Sequence, residues 1–197
     1  VRIEGGILSP DILETITQRA GQRPADFGID GNRSVLDEAT AAWGDVRNYW
    51  LGFQSRLARR TNESPVTVTR EQWVIPLLEA LGYSPAFQRR AAEVDGRRYT
   101  ISHRAGDVED CPPVHIVGYD EEIDRRDRSR ATAMAPHALL QDYLNRSEHL
   151  WGVVTNGYRL RLLRDATHFT RPTYVEFDLQ SMMAGEELDE FLLFYRL

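Results

Sequence analysis

Residues 151–163, Trp-Gly-Val-Val-Thr-Asn-Gly-Tyr-Arg-Leu-Arg-Leu-Leu, constrain the fold more tightly than any other stretch of the chain. Two β-rich runs flank Asn156-Gly157, the dipeptide that suits a type I′ hairpin because both central residues of that turn need positive φ. After the turn, Leu160 and Leu162 alternate with Arg159 and Arg161, which predicts a strand with one buried and one cationic face. A hairpin is marginal alone in water, so this one must belong to a larger sheet or pack under helices.

The material to cover it is present. Leu36, Ala39, Trp43, Val46, Trp50, Phe53 and Leu57 recur at alternating spacings of 3 and 4. They predict an apolar seam on one helix of roughly 26 residues, about 39 Å long. Two tryptophans and a phenylalanine make it a packing helix rather than a cofactor stripe. Ser9-Pro10 opens a short helix to about Ala20, and residues 21–32 read as loop. Thr69-Arg70-Glu71-Gln72 reads as a capping-box start, followed at helical spacing by Trp73, Val74, Leu77, Leu78 and Leu81, with Gly82 as the stop and Pro76 as a kink. Short strands are expected over residues 90–94, 99–103 and 114–117, with a turn at Gly96. Residues 120–130 read as a solvated charged loop. A helix over 135–147, carrying Leu139, Leu140, Tyr143 and Leu144 on one side, a strand over 173–177 and a helix from Glu187 complete the pattern. Interleaved helices and strands predict an α/β (α+β) fold, with residues 1–68 as a helical region ahead of a domain over 69–197. The chain ends inside the apolar run 191–197 with no capping signal, so a fragment of a longer polypeptide is expected.

Composition narrows the chemistry. All 24 basic residues are arginine; there is no lysine. A Walker-type phosphate loop, Schiff-base chemistry and a lysine general base are therefore excluded. The net charge of −6 disfavours wholesale coating of phosphates and leaves room for a local patch. Cys111 stands alone, so neither an internal disulfide nor a cysteine-based zinc site is available. No apolar stretch reaches the ~18 residues of a membrane span and no signal-peptide pattern opens the chain. A reducing cytoplasm is the expected compartment, with no membrane partner.

Two segments resemble known families. Arg-Glu-Gln-Trp-Val-Ile-Pro-Leu-Leu-Glu-Ala-Leu-Gly (70–82), then strands, then Gln141-Asp142-Tyr143-Leu144, then Trp151 to Leu163 follow the order of the nuclease domain in type I restriction R subunits. The block from Pro136 to Glu186, together with the opening residues 1–14, resembles the N-terminal region of large type IIG-like restriction–modification methyltransferases of bacterial phage defence. The resemblance implies a PD-(D/E)xK nuclease-like mixed sheet flanked by helices. It also implies DNA and the rest of a longer methyltransferase as partners, with S-adenosylmethionine bound outside this chain, since no Gly-rich loop for it and no Asn-Pro-Pro-aromatic motif is present. Fold alone supplies no activity.

Cleavage by such a site needs Mg²⁺ held by carboxylates and a lysine beside the attacking water. Matching by position puts the first carboxylate at Asp107. The third strand, Pro-Val-His-Ile-Val-Gly, offers no second one, leaving Asp120 and Glu121 just beyond it as candidates. Arginine is a poor substitute for the lysine because it stays charged and is diffuse. The expectation is a degenerate nuclease fold that positions DNA or docks on neighbouring domains. An active Mg²⁺ nuclease using Asp107 with Asp120 or Glu121 is the second reading, and a pure protein-interaction module the third. His103, Asp107 and His115 form a weaker possible metal set, against ordinary polar contacts. For DNA phosphates the candidates are Arg125, Arg126, Arg128 and Arg130, nearly cancelled by Asp120, Glu121, Glu122, Asp124 and Asp127, and the hairpin residues Arg159, Arg161 and Arg164.

Overall fold

The computed structural model describes residues 1–5, 9–59, 62–126, 134–167 and 173–197. Strands β1 (Arg2–Glu4), β2 (Ala86–Phe87), β5 (His103–Arg104), β6 (Pro113–Ile116), β7 (Trp151–Thr155), β8 (Arg159–Arg164) and β9 (Tyr174–Asp178) form one sheet in the order β1-β9-β8-β7-β6-β5-β2; β3 (Ala92–Val94) and β4 (Arg97–Tyr99) make a separate hairpin. The helices are α1 (Pro10–Glu14), α2 (Val35–Ala58), α3 (Pro65–Thr69), α4 (Ile75–Ala80), α5 (Pro136–Leu144), α6 (Leu179–Ala184) and α7 (Leu188–Arg196). Every strand pair is antiparallel except β6 with β7, which run parallel and are joined through α5. This is a mixed sheet flanked by helices.

Helix α2 begins where Ser34 accepts a bond from the Asp37 N–H at 3.1 Å while Asp37 accepts one from the Ser34 N–H at 3.0 Å, a reciprocal cap. Its seam lies where the spacing puts it, with one shift: Val35 is buried and Leu36 is exposed. Trp43, Val46, Trp50 and Phe53 pack with Trp73, Leu77, Val114, Ile116, Leu160, Val175, Phe177, Phe191 and Phe194 in one core. The opposite face of the sheet is covered by α5 and the β3–β4 hairpin through Tyr99, Leu140, Tyr143, Leu144, Val154 and Leu163.

That arrangement corrects four expectations. Strand β8 is covered on both faces, because it is central: Leu160 joins one core and Leu163 the other, and Arg161 is 2% exposed. Residues on both sides of position 68 share one core: α2 packs with the sheet, β1 pairs with β9, and helix runs through residues 65–80 without a break. Thr69 is therefore no N-cap. It is wholly buried inside the helix, its hydroxyl donating to the Pro65 carbonyl at 2.9 Å and accepting from the Tyr119 N–H at 2.9 Å. The helix passes Pro76 by widening rather than by a simple kink: residues Arg70–Val74 form a π turn in which the Ile75 N–H reaches Arg70, just ahead of the residue that has no N–H to donate.

The fourth correction is the hairpin turn. Gly157 has φ +82° while neither Asn156 nor Tyr158 has positive φ, so the turn is not the I′ type, which needs two such residues. Asn156 serves another purpose. Its carbonyl oxygen accepts from the N–H groups of Tyr158 at 3.1 Å and Arg159 at 2.9 Å, and its amide donates to the Glu121 carbonyl at 2.8 Å. The Gly157 carbonyl accepts from Trp73 Nε1 at 2.6 Å. A Cβ on Gly157 would stand 2.8 Å from Thr69 Cγ2 and 3.2 Å from Trp73 Cδ1. Gly157→Ala combines that clash with an unfavourable φ, and a loss of about 2–3 kcal/mol in urea-unfolding free energy is expected. An unchanged midpoint would show that helix and turn do not seat this closely.

Candidate functional site

The parallel strands β6 and β7 end side by side. Beyond them the Val117 N–H still bonds to the Thr155 carbonyl at 2.9 Å, and the chain then enters the loop 118–126. Three bonds fix that loop: the Tyr119 N–H donates to Thr69 of the helix, Asn156 of the hairpin turn donates to the Glu121 carbonyl, and within the loop the Gly118 N–H donates to Glu121 Oε1 at 3.1 Å. In open α/β sheets, ligands favour the carboxyl ends of parallel strands, so this end is where function is sought first.

Its main electrostatic feature is an internal ion network. Arg161 grips Asp124 through both terminal nitrogens, with Nη2 at 2.7 Å from Oδ2, and donates through Nε to Glu176 on the neighbouring strand. Nη1 also lies 3.2 Å from His137 Nδ1, which must be the acceptor because a guanidinium only donates. The guanidinium carbon sits 4.5 Å from the centre of the Tyr174 ring. Hydrogen bonding to Arg161 holds the Asp124 carboxyl below its usual range, against a smaller upward push from burial. Burial, reinforced by Arg161, holds the His137 imidazole below its usual range.

The arginines named for DNA contact thus divide. Arg161 is a buried structural cation and does not face solvent. Arg125, Arg126 and Arg159 are exposed and belong to the β6–β7 exit end; Arg125 pairs with Glu122 at 3.1 Å, while Arg126 and Arg159 make no ion pair among the described residues. Arg164 lies at the other end of β8, about 17 Å away for six residues, with its guanidinium 5.7 Å from the centre of the Trp151 ring. Arg128 and Arg130, with Asp127, lie outside the described residues. Sequence reasoning passed over the doublets Arg89-Arg90 and Arg97-Arg98, all exposed; Arg97 pairs with Asp142 at 3.3 Å, and Arg89 and Arg90 have no ion pair among the described residues. The doublets themselves were the available signal.

The carboxylates proposed for Mg²⁺ do not converge. Asp107 lies in the loop that enters β6, closed by a 2.9 Å bond from the Ala105 N–H to the Pro112 carbonyl, whereas Asp120 and Glu121 follow the strand's exit. The five steps from Pro113 to Gly118 separate them by about 16 Å. The residues present do not fit a shared Mg²⁺. The set His103, Asp107 and His115 fails as well. His103 is opposite Val114 and shares its face, against Phe87 and Arg70, while the adjacent His115 alternates to the α5 face. Among the described residues, no group of three or more His, Cys, Asp or Glu could hold a metal ion.

A cavity of about 190 Å³ opens on the α5 side of β6, where His115 meets Ser102, Glu121 and Leu139. His115 Nδ1 is shielded from solvent and has no hydrogen-bond partner among the described residues. Burial, with a small contribution from His103, pushes the His115 imidazole down to about 4. His103 is likewise pushed down to about 4 by burial and then by Arg70.

No family model matches the chain, and no curated protein or solved structure is significantly similar to it. Among the described residues, no helix is long and apolar enough to cross a membrane.

Two expectations follow. Arg161→Met strands Glu176 in the interior and should cost about 3–5 kcal/mol of folding stability, most of it recovered when Glu176→Leu is added; a double variant no better than the single one would contradict the pairing. The histidines set an acid limit. Unfolded, His103 and His115 bind protons near pH 6.5; folded, they resist until about 4. Unfolding therefore takes up protons between these values, and the stability present above pH 6.5 is lost as pH falls. Urea unfolding at several pH values should give a slope approaching two protons from this pair near pH 5.5, with His137 and His149, also held low by burial, adding in the same direction.

Proposed function

We propose that this chain is the N-terminal, PD-(D/E)xK nuclease-like domain of a bacterial restriction–modification or phage-defence DNA methyltransferase, with its cleavage site degenerate. It positions DNA or docks against the remaining domains of the parent protein. The observation that carries the reading is the third strand of the meander. Strands β2, β5 and β6 alternate in direction, α5 crosses over, and β7 ends in Thr155-Asn156-Gly157, the order the resemblance implies. Yet β6 holds no carboxylate, the chain holds no lysine, and the nearest acidic candidates sit at opposite ends of the strand. Arg126 and Arg159, exposed and free of ion pairs among the described residues, give DNA a place to approach at the β6–β7 exit.

A low-salt band-shift series with duplex DNA tests this. Binding should weaken with salt, and the double reversal Arg126→Glu/Arg159→Glu should flatten the log–log slope by about 1.8, the counterion release of two phosphate contacts. No cleavage should accompany binding in Mg²⁺. Cleavage abolished by Asp107→Ala would restore the active-nuclease reading. Absence of affinity for duplex and single-stranded DNA at low salt would leave the interaction module.

A further inference from the structure

The β2 edge of the sheet carries cations that the duplex contact at Arg126 and Arg159 does not use. After α4 the chain follows β5 along residues 84–88, tied by the Ser84 N–H to the Ala105 carbonyl at 3.2 Å and by the Gln88 N–H to the Ser102 carbonyl at 2.8 Å. Arg89 and Arg90 come directly after it, both exposed and without an ion pair among the described residues. Other arginines of this region are matched: Arg70 pairs with Glu71 at 2.6 Å and Arg98 with Glu93 at 3.8 Å. In a chain of net charge −6, two adjacent unmatched guanidiniums leave a local attraction for anions.

Phe87 narrows the choice of anion. Its side chain is 57% exposed, yet it is held in place: the Arg70 guanidinium carbon lies 5.5 Å from the ring centre, and the His103 ring crosses it at 68° with centres 5.4 Å apart. Among the described residues three aromatic side chains are exposed, and two of them, Tyr83 and Phe87, bound this edge. A free phosphate or an acidic peptide would satisfy the arginines and leave the rings in water. Duplex DNA keeps its bases inside the stack. A single strand uses both features, because its bases stack on aromatic faces while its phosphates meet cations. The Cα atoms of Phe87 and Arg89 are at most about 7 Å apart, the reach from a base to its own phosphate. Position along the sheet agrees. Ser102 accepts from Gln88 through its carbonyl and from the Ile116 N–H through Oγ at 2.8 Å, so β2 finishes at the exit end of β6. Arg159 stands at that same end, four strand spacings or about 19 Å across.

We propose that Phe87, Arg89 and Arg90 form a site for single-stranded DNA, with a base stacked on Phe87 and phosphates held by the two arginines. The choice of DNA rests on the function proposed above; the site itself is separate from the duplex contact.

The test uses the 197-residue chain and a fluorescent oligothymidylate of about eight nucleotides, followed by anisotropy at low salt. Saturable binding is expected. Phe87→Ala should weaken it by about fivefold or more without changing the salt slope, and Phe87→Trp should keep it. Arg89→Ala/Arg90→Ala should flatten the log–log salt slope by about 1.4, the release expected for two contacts to a single strand. An abasic oligomer of equal length, which keeps the phosphates, should bind the unaltered chain about fivefold more weakly or worse and be indifferent to Phe87→Ala. Should a variant not fold, the abasic comparison on the unaltered chain decides. Duplex affinity should be unchanged in these variants, so failure of duplex binding with the oligothymidylate still bound refutes the duplex contact alone. No binding of the oligothymidylate, unchanged affinity in folded Phe87→Ala, abasic binding as tight as that of the oligothymidylate, or polyglutamate competing as well per charge would each overturn the assignment.

Discussion

The hydrogen bond from Trp73 to the Gly157 carbonyl is the contact on which the rest of this fold depends. Trp73 is fully buried and has one donor, which must find an acceptor in the interior. The acceptor is the backbone of a turn joining two strands, so a helix and a sheet end are fixed to each other at one point. The turn can come this close only because residue 157 has no side chain. Around that point Thr69 holds Tyr119, and Asn156 holds Glu121, so the loop after β6 inherits its position from the same junction. Trp50 and Phe53 of the long helix then pack on Trp73 with ring centres 5.1 and 6.4 Å away, carrying the constraint into the larger core.

Periodicity made the elements legible and left their partners obscure. The seam on α2, the leucines of α5 and the Asn-Gly hairpin all stand where spacing puts them, because burial of one face is a local property of sequence. Thr69 shows the limit. Thr-x-x-Gln has the form of a cap, yet Ser64-Pro65 starts the helix earlier and Thr69 is needed inside it to bond Tyr119, fifty residues away. Leu-Arg alternation in β8 likewise reads as amphipathic, but a central strand has two covered faces, and whether a strand is central depends on neighbours that no local window contains. Of the candidate site, the missing carboxylate on β6 could be read directly. The separation of Asp107 from Asp120 required knowing that the strand runs between them.

Arginine's dominance takes on a structural meaning at residue 161. A guanidinium can engage two carboxylates and an imidazole in one plane while its face rests on Tyr174, a combination an ammonium could not reproduce. The network therefore joins β8, β9, α5 and the 118–126 loop. Asp124, whose side chain is largely exposed, is paired by Arg161, so a buried cation shapes the field around the exposed Arg159.

Strand β1 has a consequence for the order of assembly. Its partner, β9, lies some 170 residues further along the chain. At about 5–20 residues per second, a ribosome takes roughly 10–35 s to make the intervening polypeptide. During that interval the first strand has no edge to join, while α2 and the residues around Trp73 have already emerged. The β1 edge of the sheet is closed only once β9 has been made, and a nascent chain must keep Arg2–Glu4 from pairing elsewhere until then.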